Sequence, residues 1–510
     1  MKLSLSEQMK KMDQEAVNTG IYDIILMENA SIKSFYEIKN CFGDVADKNC
    51  IVFAGFGNNG GDSLALARHL YNNRANVFVY MLGYKDRLQG NLGVNFNIIS
   101  SMNIPYKFVY TDEDYNNDLI KNCDLIIDGI FGTGLSRNVE GKFKDAIDRI
   151  NSSKAFVVSL DIPSGIAANS GKIMGTAVKA DLTPTFALAK PGHFLYPGRE
   201  YAGNVKVVDI STPRYIIDNF ESDFYAITKD DIILKKRNIT SHKGIFGHLS
   251  VVGGSLGKSG AVIMASLAAC KTGAGLVSAC IPKSINTAFE SNILEAMSYP
   301  LEDRDGFISK ESAGDLLDFI SDKTAVSFGM GLGVTEDTRY ITEQVLSVDK
   351  PLVIDADGLN CLSGNTDLLK SRTKPTVITP HPKEFSRLIN RTTKDVIENR
   401  VELIRNFAQE YNTIVVLKMA DTIIADTNGK IYINTSGNQG MAAGGSGDVL
   451  SGMIGSFLAQ GYRAIDACAY GVFLHGLSAD LAYNKGASYE SMMPNDIIDN
   501  INEAIKSVIN

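Results

Sequence analysis

The 510-residue chain has no tryptophan, 13 prolines and no cysteine pair spaced C-x-x-C. Its seven cysteines (Cys41, Cys50, Cys123, Cys270, Cys280, Cys361 and Cys468) are odd in number and scattered. That excludes a disulfide framework and fits reduced, mostly buried thiols in a cytoplasmic protein. No run approaches 18 uninterrupted apolar residues; the best stretch, 260–277, is broken by Lys271, so no membrane span is expected. The opening MKLSLSEQMKKMDQEA lacks an apolar h-region, so no secretory signal is expected either. Basic residues are also short: 50 Lys and Arg against 58 Asp and Glu give a net charge of −8. A general binder of nucleic-acid backbones needs the opposite balance. The six histidines show no metal-ligand spacing.

Glycine is plentiful. There are 46, above the usual share of about 7%. They sit in short clusters at the ends of apolar runs, which is not how flexible linkers are composed. Runs rich in Val, Ile and Phe alternate with helical patterns along the whole chain, which predicts an α/β architecture. Strands are predicted at 50–54, 77–82, 125–128, 155–160 and 205–208, preceded by helices at 6–18 and about 26–39. The pattern loosens over 212–241, then strands resume at 248–253, 276–281, 325–328, 352–355, 376–379 and 413–417. Helices are predicted at 447–458, 464–483 and 494–508. The expected organisation is two successive α/β domains, 1–220 and 221–510.

The first glycine cluster, Gly55-Phe56-Gly57-Asn58-Asn59-Gly60-Gly61-Asp62, follows a strand and opens a helix. It contains G-x-G-x-x-G, yet the next strand ends Tyr80-Met81-Leu82-Gly83 without the acid that holds a ribose in nicotinamide dehydrogenases. An ordinary Rossmann cofactor site is therefore not expected. The chemistry is still that of an anion cradle, because glycines admit a phosphate to the backbone and a helix N-terminus offers free N–H groups. Asn58, Asn59 and Asp62 add oxygen ligands of the kind a hard cation takes. Asp128, followed by Gly129-Ile130-Phe131-Gly132-Thr133-Gly134-Leu135-Ser136-Arg137, and Asp161, followed by Ile162-Pro163-Ser164-Gly165, lie at two further strand ends. In a parallel sheet those ends gather on one ligand-binding edge.

These motifs, with Leu26-Met27-Glu28-Asn29-Ala30, resemble the N-terminal domain of the NAD(P)H-hydrate repair enzymes over about residues 5–215. The resemblance implies a Rossmann-like three-layer domain acting as an epimerase (isomerase) on the R and S forms of hydrated NADH and NADPH. It implies that Asn58, Asn59, Gly60, Gly61 and Asp62, with Gly132, Thr133, Gly134, Leu135, Ser136 and Arg137, line the substrate phosphates. Asn59, Asp128 and Ser164 would hold K+, and Asp161 would meet the reacting nicotinamide end as catalytic residue. A carboxylate suits that place, since inversion at C6 needs proton transfer. One departure is Ser63, where the family usually has glycine.

The second glycine system begins Val252-Gly253-Gly254-Ser255-Leu256-Gly257-Lys258-Ser259-Gly260-Ala261. Its G-K-S suggests a P-loop, but the spacing would require glycine at 252, where valine stands. Further on, Gly444-Gly445-Ser446-Gly447-Asp448 leads directly into an apolar helix. Stacked N–H groups there suit a transferring phosphoryl group, and Asp448 is placed to take the proton of an attacking hydroxyl.

With Lys271-Thr272-Gly273-Ala274-Gly275, Gly329-Met330-Gly331, Asp355-Ala356-Asp357-Gly358 and Thr379-Pro380-His381-Pro382, this resembles the ribokinase-like dehydratase domain of the same family over about residues 225–510. The resemblance implies an ADP-dependent dehydratase (lyase) for S-NAD(P)HX, yielding NAD(P)H, AMP and phosphate. Asp448 would be catalytic, and Ala261, Gly331, His381 and Asp448 would face the hydrate. Lys418, Met419, Ala420, Asp421 and Thr422, with Gly445, Ser446 and Gly447, would hold the nucleotide, ADP entering with Mg2+. Met330 and Met419 depart from the family's proline and glycine. The implied partners are NADHX, NADPHX and ADP, with no nucleic acid and no membrane, and a homo-oligomeric state is expected. The competing reading is a ribokinase-like small-molecule kinase that leaves the phosphate on its product.

Overall fold

The computed structural model describes residues 1–509, which divide between Phe224 and Tyr225 into two compact units. In the first, strands β1 (Asn49–Ala54), β2 (Asn76–Met81), β3 (Tyr106–Phe108), β4 (Leu125–Gly129), β5 (Phe156–Ser159), β6 (Leu182–Phe186) and β7 (Asn204–Val208) form one sheet in the order β3-β2-β1-β4-β5-β6-β7. Every pairing is parallel. Side chains alternate between faces along a strand. Cys50, Val52 and Ala54 of β1 therefore enter one buried cluster, and Ile51 and Phe53 the other.

Helix α1 spans Ser6–Asn18, α2 Asp23–Cys41, α3 Asn58–Asn72, α4 Gly90–Ser101 and α5 Lys142–Ser152. Leu64, Leu66 and Leu70 of α3 fill the first cluster; Ala146, Ile147 and Ile150 of α5 fill the second. A sheet covered on both faces explains the near-continuous apolar runs of its strands. Chain order reverses between β1 and β4, so the crevice at their carboxyl ends is where such a sheet takes a ligand.

The second unit carries β8 (His248–Val252), β9 (Leu276–Pro282), β10 (Met297–Leu301), β11 (Ala325–Phe328), β12 (Leu352–Ile354), β13 (Thr376–Ile378), β14 (Ile414–Leu417), β15 (Ile423–Ala425) and β16 (Ile431–Asn434). They are ordered β16-β15-β14-β13-β12-β11-β8-β9-β10. Strands from β10 through β14 pair in parallel, and β15 and β16 are antiparallel additions.

Helices α6 (Ser259–Thr272), α7 (Asp357–Leu362), α8 (Pro382–Leu388), α9 (Ser446–Ala459), α10 (Ala464–Asn484) and α11 (Pro494–Val508) accompany that sheet. Helix α9 is buried at every position from Val449 to Ala459, as expected of a helix apolar all round. It approaches α6 closely at Gly452, where a Cβ would lie 2.1 Å from the Ala265 carbonyl oxygen. Among the described residues no helix is long and apolar enough to cross a membrane.

Candidate functional sites

In the first unit, a cavity of about 890 Å³ opens at the crevice and is lined by Asn58, Asn59, Asp62, Gly132 to Arg137 and Asp161. That volume falls in the range of small-molecule sites. Gly60 and Gly61 sit behind this lining. A Cβ on Gly60 would fall 2.0 Å from the Gly55 carbonyl oxygen, and one on Gly61 would meet the Met27 thioether at 2.7 Å. Gly55 in turn lies against the Ile130 carbonyl, 2.0 Å from where its Cβ would be. These glycines let the β1 turn, the start of α3 and the loop after β4 touch backbone to backbone. Ser63 fits because Gly129 opposes it, and its hydroxyl donates to the Gly60 carbonyl at 2.8 Å.

Asp128 is fully buried below the cavity. Its carboxylate accepts from the Ser159 hydroxyl at 2.7 Å, the Ser164 N–H at 2.9 Å and hydroxyl at 2.6 Å, and the Ile130 N–H at 3.2 Å. Burial drives its carboxyl above the ordinary value against the pull of those bonds. Asn59 donates to the Phe131 carbonyl at 3.0 Å, while its side-chain oxygen is buried with no partner. The Ser164 hydroxyl lies 3.2 Å from that same carbonyl. The structure thus brings Asn59 and Ser164 to one backbone oxygen, with Asp128 bonded to Ser164 behind them.

Asp161 follows β5 with φ +65°, a left-handed conformation uncommon for a residue with a side chain. One carboxylate oxygen accepts from the Lys190 ammonium at 2.5 Å, the Thr185 hydroxyl at 3.1 Å and the Phe186 N–H at 3.2 Å. Burial pushes the Asp161 carboxyl up, but Lys190 and these bonds prevail and hold it below the usual value. Lys190 is wholly buried yet reaches the cavity wall. His193 bonds to the Asp161 carbonyl at 2.9 Å; burial, then Lys190, pull it down to about 4. Asp62 is held well above the carboxylate range by burial, with Asp161 and Asp13 adding to it.

Lys190 and Asp13, both on the cavity wall, escape a reading by motif. Lys190 follows β6, whose Pro184 hides the strand, because proline ordinarily marks a strand edge. Had β6 been recognised, Lys190-Pro191-Gly192 would stand out as one more turn on the ligand edge.

In the second unit, Gly445 adopts φ +99° and starts α9, so Gly447 and Asp448 fall in its first turn. A Cβ on Gly447 would lie 3.0 Å from the Lys418 ammonium and 3.7 Å from the Asp355 carboxylate. Asp355, buried at the end of β12, accepts from Lys418 at 2.6 Å and from the Ser451 hydroxyl at 2.5 Å. Burial lowers Lys418, but Asp355, Glu384 and Asp448 together hold it above the ordinary lysine value. Asp448 is pushed up to about 7, first by burial and then by Asp355, with Lys418 opposing.

His381 caps α8: its Nδ1 accepts from the N–H groups of Lys383 at 3.1 Å and Glu384 at 3.3 Å. Burial, then Lys418, lower it, which puts the ring within reach of that ammonium's field. Gly331, at φ +65°, packs on the 258–261 turn, where its Cβ would be 2.7 Å from the Lys258 carbonyl and 3.0 Å from the Ala261 methyl. Lys258 pairs with Asp357 at 3.0 Å. Of the 418–422 loop, Asp421 is fully buried and paired with Arg400 at 2.8 Å, and Thr422 donates to the Met419 carbonyl at 3.1 Å. Met419 is not among the residues with positive φ, so the loop does not depend on a glycine there.

The family described as NAD(P)H-hydrate dehydratase matches residues 249–503, and that described as YjeF-related protein N-terminus matches 23–192. The bifunctional NAD(P)H-hydrate repair enzyme of Moorella thermoacetica is 34% identical over 100% of this chain and 99% of its own. The counterpart from Dictyoglomus turgidum is 35% identical over 100% and 99%, and that from Escherichia coli K12 is 30% identical over 93% and 88%. The ADP/ATP-dependent NAD(P)H-hydrate dehydratase of Bacillus subtilis, co-crystallised with ATP and Mg2+, shares 27% identity at a TM-score of 0.48, covering 56% of this chain and 98% of that one. Full-length similarity, with both domain families in the same order, assigns the chain: it belongs to the bifunctional NAD(P)H-hydrate repair enzymes.

Proposed function

We propose that the two sites divide the two repair reactions of the family, epimerisation of R- and S-NAD(P)HX in the first unit and ADP/ATP-dependent dehydration of S-NAD(P)HX in the second. The observation that carries this reading is Asp448, a buried carboxyl in the first turn of α9 that feels the charges of Asp355 and Lys418. A carboxyl pushed up to about 7 is matched to proton removal near neutral pH. It takes the proton of the C6 hydroxyl, whose oxygen then attacks the terminal phosphoryl group. Lys418 and the N–H groups of the 445–447 turn receive the charge that builds on the phosphoryl oxygens. Phosphate leaves C6 as the ring nitrogen's lone pair advances, and loss of a ring proton restores the dihydronicotinamide. Lys418, Met419, Ala420, Asp421 and Thr422, with Gly445 to Gly447, hold the nucleotide; Ala261, Gly331 and His381 face the hydrate. ADP is the proposed donor, arriving with Mg2+, which when bound would neutralise phosphate charge.

In the first unit, Asn58 to Asp62 and Gly132 to Arg137 bound the phosphate end. A carboxyl such as Asp62, held toward its protonated form, donates to a phosphate oxygen where a carboxylate would repel it. Asp161, held ionised by Lys190, serves as the base at C6. The unpartnered oxygen of Asn59, with Asp128 and Ser164, forms an all-oxygen set that fits K+. Bound there, K+ supplies positive charge beside the loop that meets the phosphates.

The test is a mixed R/S hydrate incubated with ADP, and in parallel with ATP, following the dihydronicotinamide absorbance and the phosphate released. Full recovery supports both sites, and recovery of the S fraction alone would sink the epimerase assignment. Phosphate retained on the product would sink the dehydratase.

A further inference from the structure

Asp13 stands outside every motif. It lies on α1, whose neighbouring Met9, Met12 and Ala16 are buried, and it lines the same cavity as Asp161 and Lys190. Its Oδ1 is buried with no hydrogen-bond partner, an expensive arrangement for a carboxylate and a tolerable one for a carboxylic acid. The charged groups that act on it come from four elements. Lys190 and Asp161 follow the strand ends, Asp23 starts α2, and Asp62 lies in α3. Glu7 and Lys10 share its helix at the cavity wall, while Arg214 and Asp218 of the packed segment Arg214–Asn219 are exposed and paired with each other.

Inversion at C6 needs two proton-transfer groups, one to discharge a hydroxyl and one to accept a proton from the incoming water. The cavity offers two carboxyls whose surroundings drive them apart, which is how acid and base are assigned within such a pair. Resting on the reading of Asp161 as base, we infer that Asp13 is the proton donor of the epimerase, delivering its proton to the C6 hydroxyl of the hydrate. The C6–O bond breaks with both electrons leaving on oxygen as water, and the ring nitrogen's lone pair closes a C=N bond. Water then adds to the other face of C6, its electron pair forming the new C–O bond while the π pair returns to nitrogen. The surplus proton of that water passes to the Asp161 carboxylate. One proton has moved from Asp13 to Asp161, and exchange through solvent resets the pair. The reverse epimerisation uses the same two groups in the opposite order. Burial, opposed by Lys190 and reinforced by Asp161 and Asp23, pushes the Asp13 carboxyl up to about 6, in keeping with the role.

The experiment uses the full chain and purified R-NADHX, separating R and S forms chromatographically over a range of pH. Asp13→Asn should lower kcat for R-to-S exchange by about 100-fold or more, with KM changed less than about threefold. Asp13→Glu should restore a measurable part of the rate. In the parent, kcat/KM should fall as pH rises above about 6, where the donor is spent, and Asp13→Asn should lack that limb. Dehydration of S-NADHX by the same preparations should be unchanged and reports that the chain is intact. Asp161→Asn is run alongside. If it is inactive while Asp13→Asn keeps its rate and its alkaline limb, the inference is overturned and the reading of Asp161 survives. If Asp161→Asn retains activity, that reading fails by itself. Should Asp13→Asn not fold, a parent profile without a limb near pH 6 overturns the inference directly.

Discussion

The Lys190–Asp161 pair provides the sharpest handle on the first unit. Lys190→Met keeps the length of the side chain and removes the ammonium, leaving a carboxylate that is 13% exposed with only the Thr185 hydroxyl and Phe186 N–H as donors. Breaking a buried pair in this way costs about 3–5 kcal/mol. For a unit of this size each kcal/mol shifts melting by about 2–4 °C, so the transition of the first unit should fall by roughly 6–20 °C. The loss has a sign in pH. In the parent, the Asp161 carboxyl lies below its ordinary 3.8, so its stabilisation is present above that value and disappears only as pH falls through the lowered one. Without Lys190 the same burial drives the carboxyl upward, and acid then relieves the strain by protonating it. The deficit should therefore be larger at pH 8 than at pH 5. Calorimetry is the suitable assay, because the chain has no tryptophan to report unfolding. The double variant Asp161→Asn/Lys190→Met should recover most of the loss, as two neutral partners of similar shape leave no orphaned charge. A drop under about 2 °C at pH 8, or a double variant as unstable as the two single losses summed, would refute the reasoning.

Asp448→Asn should reduce S-NAD(P)HX dehydration by about 100- to 10,000-fold while R/S exchange continues, measured by absorbance and by chromatography of the hydrates. In the parent, dehydration should decline as pH falls below about 7, since Asp448 acts only when ionised. Gly447→Ala would bring a methyl to 3.0 Å from the Lys418 ammonium, a flexible end that can yield. It should raise the nucleotide KM severalfold, with little change in the melting of the second unit. Replacing K+ by a large organic cation should slow R/S exchange and leave dehydration alone. Equal slowing of both would remove K+ from the Asn59, Asp128 and Ser164 set.

The apolar runs ending in glycine or aspartate make most parallel strands legible in the sequence, because a sheet buried on both faces demands them. Strand β6 was hidden by Pro184, and β15 and β16 were hidden because short antiparallel additions carry no glycine-rich turn. Helices α3 and α9 begin at Asn58 and Ser446, so the glycine clusters expected to open helices also supply their first turns. Motif residues gather at the sites because each motif is local. Asp13 and Lys190 join Asp161 only through the fold. No spacing in sequence could announce a group of three residues lying 29 to 177 positions apart.

Gly55, Gly60 and Ile130 meet main chain to main chain, and this contact limits how the first cavity can diversify. The contact leaves no room for a Cβ at Gly55 or Gly60, so substitutions at these two positions are closed to selection and to engineering alike. Discrimination between NADHX and the bulkier, more highly charged NADPHX then falls to replaceable groups of the lining, among them Asn58, Leu135, Ser136 and Arg137. Preference for one cofactor can therefore be changed by substitution on the cavity wall while the backbone contact behind it stays as it is.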